Sequence, residues 1–122
     1  MEWSTTFLPD DKIVLIETSG IADEASSVEM AKIIFKSMAR HLSLRCLIDH
    51  SAISSVSGSA VEIYDRPKRL VKLGLPFEIR IAEVVLPEHR EHFRFLETVF
   101  RNRGFAFYIF DDRESARQWL IK

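Results

Sequence analysis

The spacing of apolar positions along the chain switches between two and three-to-four, and each switch marks an element. Near the start, Trp3, Thr5 and Phe7 alternate with polar neighbours, the period of a short strand. Pro9-Asp10-Asp11 supplies turn chemistry, and residues 12–19 (KIVLIETS) read as a longer strand. The short turn predicts an antiparallel hairpin, ended at Gly20. From about Asp23 to Leu42, the positions Val28, Ala31, Phe35, Met38 and Leu42 share one helical face. Ser26 and Glu29 have capping-box spacing, and Asp23 offers an earlier cap. Residues 45–49 (RCLID) then predict a short strand buried on both faces.

Beyond a serine-rich stretch, Ala60, Val61 and Tyr64 begin a second helix, with Ser59 and Glu62 again at capping-box spacing. Pro67 predicts a break or kink near Asp65, because proline lacks the amide that the helix ladder needs. Leu70, Val71 and Leu73 lead to Gly74, suited to a left-handed C-terminal cap. Residues 78–85 (EIRIAEVV) form the next strand. Pro87 suits a first helical position, with Glu88 and Glu91 in the first turn. Phe93, Leu96 and Phe100 make the apolar stripe of that third helix, and Gly104 stops it. Residues 105–110 (FAFYIF) are the last strand, after which Asp111 or Asp112 caps a helix that packs Ala116, Trp119 and Leu120. The order β-β-α-β-α-β-α-β-α predicts one α/β domain over residues 1–122. An N-terminal hairpin leads into a mostly parallel four- or five-stranded sheet with right-handed βα crossovers.

Composition adds limits. A chain of 122 residues, 47% hydrophobic and 29% charged, suffices for one core without staples. No apolar run reaches the ~20 residues of a membrane span, and Met1-Glu2-Trp3-Ser4 lacks a signal peptide's basic start. Cys46 is the only cysteine and lies in an apolar run, so a buried inert thiol is expected. These features point to a cytoplasmic location and no membrane partner. A formal net charge of −1 argues against nucleic acid as a partner. The local cluster Arg66, Lys68, Arg69 and Lys72 reads as a solvated helix face.

The chemistry is sparse. Gly20, Gly74 and Gly104 are accounted for by turns and helix ends, leaving only Gly58 of the four glycines in a candidate loop. No glycine-rich phosphate cradle can be assembled from them, and no cofactor is expected. Asp49-His50-Ser51 has the residue types of a hydrolase triad, but neighbours on a strand point to opposite faces. His89 and His92 share a helix turn without the HExxH or HxxEH spacing or a third ligand, so no metal is expected. No catalytic constellation emerges, and the chain reads as a non-enzyme. Nine phenylalanines exceed the needs of one thin core layer. Phe95 lies off its helix's stripe, and Phe105, Phe107 and Tyr108 place aromatic groups on both faces of the last strand. Either both sheet faces are covered within the monomer, or one forms an apolar interface or pocket.

Taken in order, CLIDHSAISSVSGSAV, then RIAEVV before a helix, then NRGFAFYIFDDRESARQWL resemble the SpoIIAA-like proteins. These are small relatives of the STAS domain of anti-sigma-factor antagonists and sulfate transporters. The resemblance spans nearly the whole chain and implies a sheet wound as successive βα units, with a non-enzymatic regulatory or protein-binding role. In the antagonists a strand ends in Asp, and a loop carries Asp-Ser-Ser-Gly into a helix, with the first serine phosphorylated by a kinase-like partner. Asp49 matches the strand-end Asp. Ser57 falls at the loop Asp, Gly58 at the phosphorylated serine, Ser59 at the second serine and Ala60 at the glycine. In that register the acceptor position has no hydroxyl, whereas a shift by one residue would restore a serine there.

The resemblance marks Asp49, Ser51, Ser54, Ser55, Ser57, Gly58 and Ser59 as the partner- or ligand-facing loop. The expected partner is a protein or a second copy of the chain, as a twofold homodimer. The alternative is a carrier or sensor of a small apolar ligand in an aromatic-lined pocket, with Phe95, Phe105, Phe107 and Tyr108 as candidates.

Overall fold

The computed structural model describes all residues, Met1–Lys122. Strands β1 (Glu2–Leu8) and β2 (Ile13–Ala22) form the hairpin, followed by α1 (Glu24–His41), β3 (Arg45–Val56) and α2 (Ala60–Lys72). Then come β4 (Arg80–Val84), a 3-10 turn at Pro87–His89, α3 (Arg90–Asn102), β5 (Ala106–Phe110) and α4 (Arg113–Leu120). The five strands lie in the order β1-β2-β3-β4-β5. β1 is antiparallel to β2, and the remaining pairs are parallel.

That order determines where the helices sit. Each crossover from β2 onward advances one strand in the same direction, so right-handed connections place α1, α2 and α3 on one face. Their stripes meet the sheet there: Ile63 and Leu70 from α2, Phe93 and Phe100 from α3. From α1 come Met30, Ala31, Ile34 and Met38 instead of the expected face through Val28, Phe35 and Leu42, since Leu42 is the exposed left-handed cap beyond the helix. α4 connects to no further strand and takes the opposite face, where Ala116 and Leu120 cover Ile13, Leu15, Leu47 and Ala82. Arg80 of β4 holds α4 down by donating to the Trp119 and Leu120 carbonyls (2.5 and 3.3 Å) and stacking on the Trp119 ring. Both faces of the last strand are thus used internally. Phe105 and Phe107 are buried against Phe100, while Tyr108 packs on Trp119 beneath the Arg101 guanidinium.

Three local expectations need correction. β2 does not end at Gly20, and β3 does not end at Asp49. Gly20 takes a positive φ of 84° at an irregularity in the register, and both strands run on, pairing Ser19 with Ala52 and Ala22 with Val56. Ser51, Ser54 and Ser55 are therefore strand residues, exposed on a two-stranded extension that passes the ends of β1 and β4. The serine-rich composition masked the strand because its hydrogen bonds come from β2, which is distant in sequence. Helix α2 continues through Pro67, whose ring is fully buried. Packing of that ring offsets the lost amide, a cost of about 3 kcal/mol in an isolated helix. The strand ends also move inward, from 78 to Arg80 and from 105 to Ala106.

Of the two N-caps that the sequence offers α1, the structure uses Asp23 and not the Ser26–Glu29 box, whose Glu29 pairs with Lys32 instead. Asp23 accepts from the Ser26 amide at 2.8 Å, and Asp112 from the Ser115 amide at 2.7 Å. Ser59 and Glu62 form a reciprocal capping box.

Candidate functional site

The parallel strands place three polar side chains in a row at their carboxyl ends, on the face covered by α1, α2 and α3. Thr18 follows Val14 and Ile16 on β2, His50 follows Cys46 and Ile48 on β3, and Glu83 follows Ile81 on β4. Period-two side-chain alternation puts each in line with the apolar residues before it. All three are buried, with exposures of 3%, 3% and 4%. The carboxyl edge of such a sheet is where α/β proteins bind ligands.

The hydrogen bonds of this row constrain its protons. The Thr18 hydroxyl lies 3.1 Å from the Asp49 carbonyl and 2.7 Å from His50 Nδ1. Both contacts are satisfied together only if the hydroxyl donates to the carbonyl and accepts from Nδ1–H. His50 Nε2 then faces Glu83 Oε1 at 3.5 Å, beyond good hydrogen-bond reach, and Oε1 has no other partner. The His50 ring stacks on Phe93 at 4.7 Å between centroids, which holds it in this orientation. Thr18, His50 and Glu83 carry the residue types of a hydrolytic triad. The hydroxyl is nevertheless buried and its proton is committed to a backbone carbonyl, so the row has no nucleophile to offer.

Above the row lies a cavity of about 60 Å³ between the sheet and the three helices. Fifteen of its twenty lining residues are hydrophobic, and its polar members are His50 and Glu83 of the row with Ser27, Arg66 and His92 from α1, α2 and α3. Ser27, Phe35 and His92 are only partly buried and mark where the cavity approaches solvent. His92 has its pKa lowered, chiefly by burial and then by the Arg66 cation, so it is neutral at pH 7. The seam between α1 and α2 beside the cavity is bridged by charge. Glu24 accepts from Arg66 at 2.5 and 3.1 Å and from Arg69 at 2.7 Å. Two members of the basic cluster thus neutralise a carboxylate of α1.

Across the sheet, Asp49 and His50 diverge as strand neighbours must. Asp49 turns toward α4, where its Oδ2 accepts two N–H bonds from Arg113 (2.6 and 3.1 Å) and its Oδ1 accepts the Ser51 amide at 2.9 Å. Burial opposes ionisation of Asp49, but the Ser51 and Arg113 hydrogen bonds outweigh it and hold the carboxyl below its ordinary value. Arg113 also reaches Glu17 at 2.9 Å.

The expected site residues separate into three places. Asp49 is buried in the α4 ion pair. Ser51, Ser54 and Ser55 are exposed on the β2–β3 extension, where Ser54 donates to the Gly20 carbonyl at 3.1 Å. Ser57, Gly58 and Ser59 form the short exposed link into α2, with Gly58 at a φ of 127°. A shallow groove of about 440 Å³ opens beside that link, lined by Val56, Ala60, Ile63, His89, His92 and Phe95 among others. Of the four aromatic candidates, Phe107 reaches the cavity and Phe95 the groove, while Phe105 and Tyr108 reach neither. Nowhere do three His, Cys, Asp or Glu side chains converge as metal ligands, and no helix is long and apolar enough to cross a membrane. Sequence reading passed over Thr18, Glu83, Arg66 and His92 as site residues. For Thr18 and Glu83 the signal was a polar side chain in step with apolar ones at an inward strand position; Arg66 and His92, on α2 and α3, carried none.

No family model matches the chain, and no curated protein matches it. Solved structures similar to the chain include the following two. One is an uncharacterized protein of the DUF3478 family with a SpoIIAA-like fold from Shewanella loihica PV-4. It is 20% identical with a TM-score of 0.57, over 98% of this chain and 92% of that one. The other is the anti-sigma factor antagonist SpoIIAA in its unphosphorylated form. It is 17% identical with a TM-score of 0.54, over 93% of this chain and 92% of that one. The chain has the SpoIIAA-like fold, as the sequence resemblance implied.

Proposed function

We propose that this chain is a non-enzymatic regulatory module of the cytoplasm that binds a protein partner at the carboxyl end of its sheet. One observation carries the reading. The exposed link Ser57–Gly58–Ser59 stands at the positive end of α2 beside a groove in which Val56, Ile63 and the exposed Phe95 ring alternate with Glu88, His89, Glu91 and His92. Hydroxyl and amide groups at the link supply direction, and the groove supplies apolar area, a combination suited to a protein surface. The similarity to an anti-sigma factor antagonist supports a protein partner in kind.

A photo-crosslinking residue placed at Ser57 or at Phe95, in cells that naturally express the chain, tests this. Adducts of defined mass are expected from both positions, and none from Gln118 on the α4 face. An adduct of twice the chain mass would identify the partner as a second copy. Equal labelling from all three positions, or none from any, would overturn the reading.

A second reading is favoured by a different observation. The enclosed, mostly apolar cavity above Thr18, His50 and Glu83 supports a carrier or sensor of a small ligand. Xenon, an apolar probe of suitable size, is expected to perturb the methyl NMR signals of Ile48, Ile81 and Leu96, three residues of the cavity wall. The absence of a saturable shift would remove this reading and leave the first intact.

A further inference from the structure

The cavity wall carries one group without a partner, and that group selects a ligand chemistry. Glu83 is 4% exposed and lines the cavity, and its Oε1 accepts no hydrogen bond. A buried carboxylate oxygen left in this state costs free energy that an incoming donor would recover. Beside it, His50 Nε2 stands 3.5 Å away with its hydrogen-bonding capacity unspent, because Thr18 occupies only Nδ1. The two atoms form a polar pair in the wall of a mostly apolar chamber.

We propose that this pair binds the hydroxyl end of a small uncharged molecule with an apolar body, and the inference rests on the ligand-carrier reading above. A hydroxyl donates through its hydrogen and accepts through its lone pairs. It can therefore bridge Glu83 Oε1 and His50 Nε2 when one of the two atoms carries a proton, whichever it is. A carboxylate would meet the Glu83 oxygen as acceptor against acceptor. Arg66, the one Arg or Lys of the cavity wall, already donates to Glu24, which it shares with Arg69. An ammonium would donate to Glu83 but has no lone pair for a protonated Nε2, and it would carry its charge past Arg66 into a wall of mostly hydrophobic residues. Neutral hydroxyl is the head group that fits both atoms.

Volume limits the body. The space of about 60 Å³ is smaller than the ~150 Å³ engineered cavity that takes benzene. The closed chamber therefore admits a body of a few carbons. A longer one requires α1 and α2 to part, and the Glu24 contacts with Arg66 and Arg69 are the bonds that would break.

The test compares n-propanol, propylammonium and propionate by NMR titration of the cavity methyls at pH 7, with xenon as an apolar control. Propanol is expected to give saturable shifts and to bind at least about tenfold more tightly than either ion, the ratio of one well-made hydrogen bond. Glu83→Gln keeps the side-chain size and replaces the carboxylate with an amide that can donate to a bare Nε2 or accept from a protonated one. In that variant the preference for propanol over xenon should shrink several-fold while xenon binding persists. If xenon binds but propanol shows no advantage over the ions, the hydroxyl assignment falls and the carrier reading stands. If neither binds, both fall. The head-group comparison uses the unaltered chain, so it decides the matter even if Glu83→Gln does not fold.

Discussion

Replacing Arg113 by methionine isolates the energetics of the α4 ion pair, because methionine retains an apolar stem and removes only the guanidinium. Asp49 is 8% exposed and would keep a single hydrogen bond, from the Ser51 amide. Removing one partner of a fully buried pair costs about 3–5 kcal/mol. Here the Arg113 side chain is 47% exposed, so water can reach the vacated position and screening lowers the cost. About 2 kcal/mol is therefore expected at pH 7, near the strength of one charge-assisted hydrogen bond. The Glu17 contact is exposed on both sides and should add only a few tenths.

The pH dependence follows from the sign of the shift. Asp49 has a lowered pKa in the folded chain, so its ionised form favours folding. That contribution is complete above the unfolded carboxyl value and is lost as pH falls through the lower folded value. The difference between the unaltered chain and Arg113→Met should accordingly be full at neutral pH and narrow progressively in strongly acidic solution. Urea unfolding of both proteins at pH 7 and at a pH below the Asp49 titration measures it, with a midpoint difference of about 1 M expected at pH 7 for a domain of this size. An equal difference at both pH values would refute the electrostatic account, as would Glu17→Gln costing as much as Asp49→Asn.

Ser59→Ala should destabilise the chain by about 1 kcal/mol, because the Ser59 hydroxyl accepts the Glu62 amide in a complete capping box; chemical denaturation reads this directly. Intact-mass analysis of protein from its natural cells should show no phosphate on Ser57 or Ser59, since Gly58 occupies the acceptor position that the resemblance assigns. Cys46 is 1% exposed and its thiol pKa is raised, mainly by burial and secondarily by Glu83, so a thiol reagent at pH 8 should react no faster than the chain unfolds. Light scattering across micromolar to millimolar concentration should reveal twofold self-association through the exposed Phe95 surface, and a monomer throughout would exclude it.

Local rules of the chain determined most of the architecture. Period-two and period-3.6 spacing of apolar residues located each strand and helix, because burying one face requires that spacing whatever the surroundings. Asp23, Ser59 and Asp112 declared helix starts because an N-cap bonds within three residues of itself. The right-handed crossover rule then placed α1, α2 and α3 together on one face, a consequence of chain chirality rather than of particular contacts.

Tertiary structure alone decided the rest, and in each case the deciding partner is remote in sequence. Residues 50–56 look like a loop by composition and become strand because β2 offers its backbone groups beside them. Pro67 signals a break, yet its helix continues because neighbouring elements bury the ring. Asp49 has the place of a partner-facing acid until Arg113, 64 residues later, closes on it. The row of Thr18, His50 and Glu83 belongs to the same class. Each residue alone is an ordinary polar side chain in a strand. Only parallel pairing in register brings the three side by side, and only three helices closing over them exclude water. The unpartnered Glu83 oxygen is a product of both events, so no single stretch of sequence could contain it.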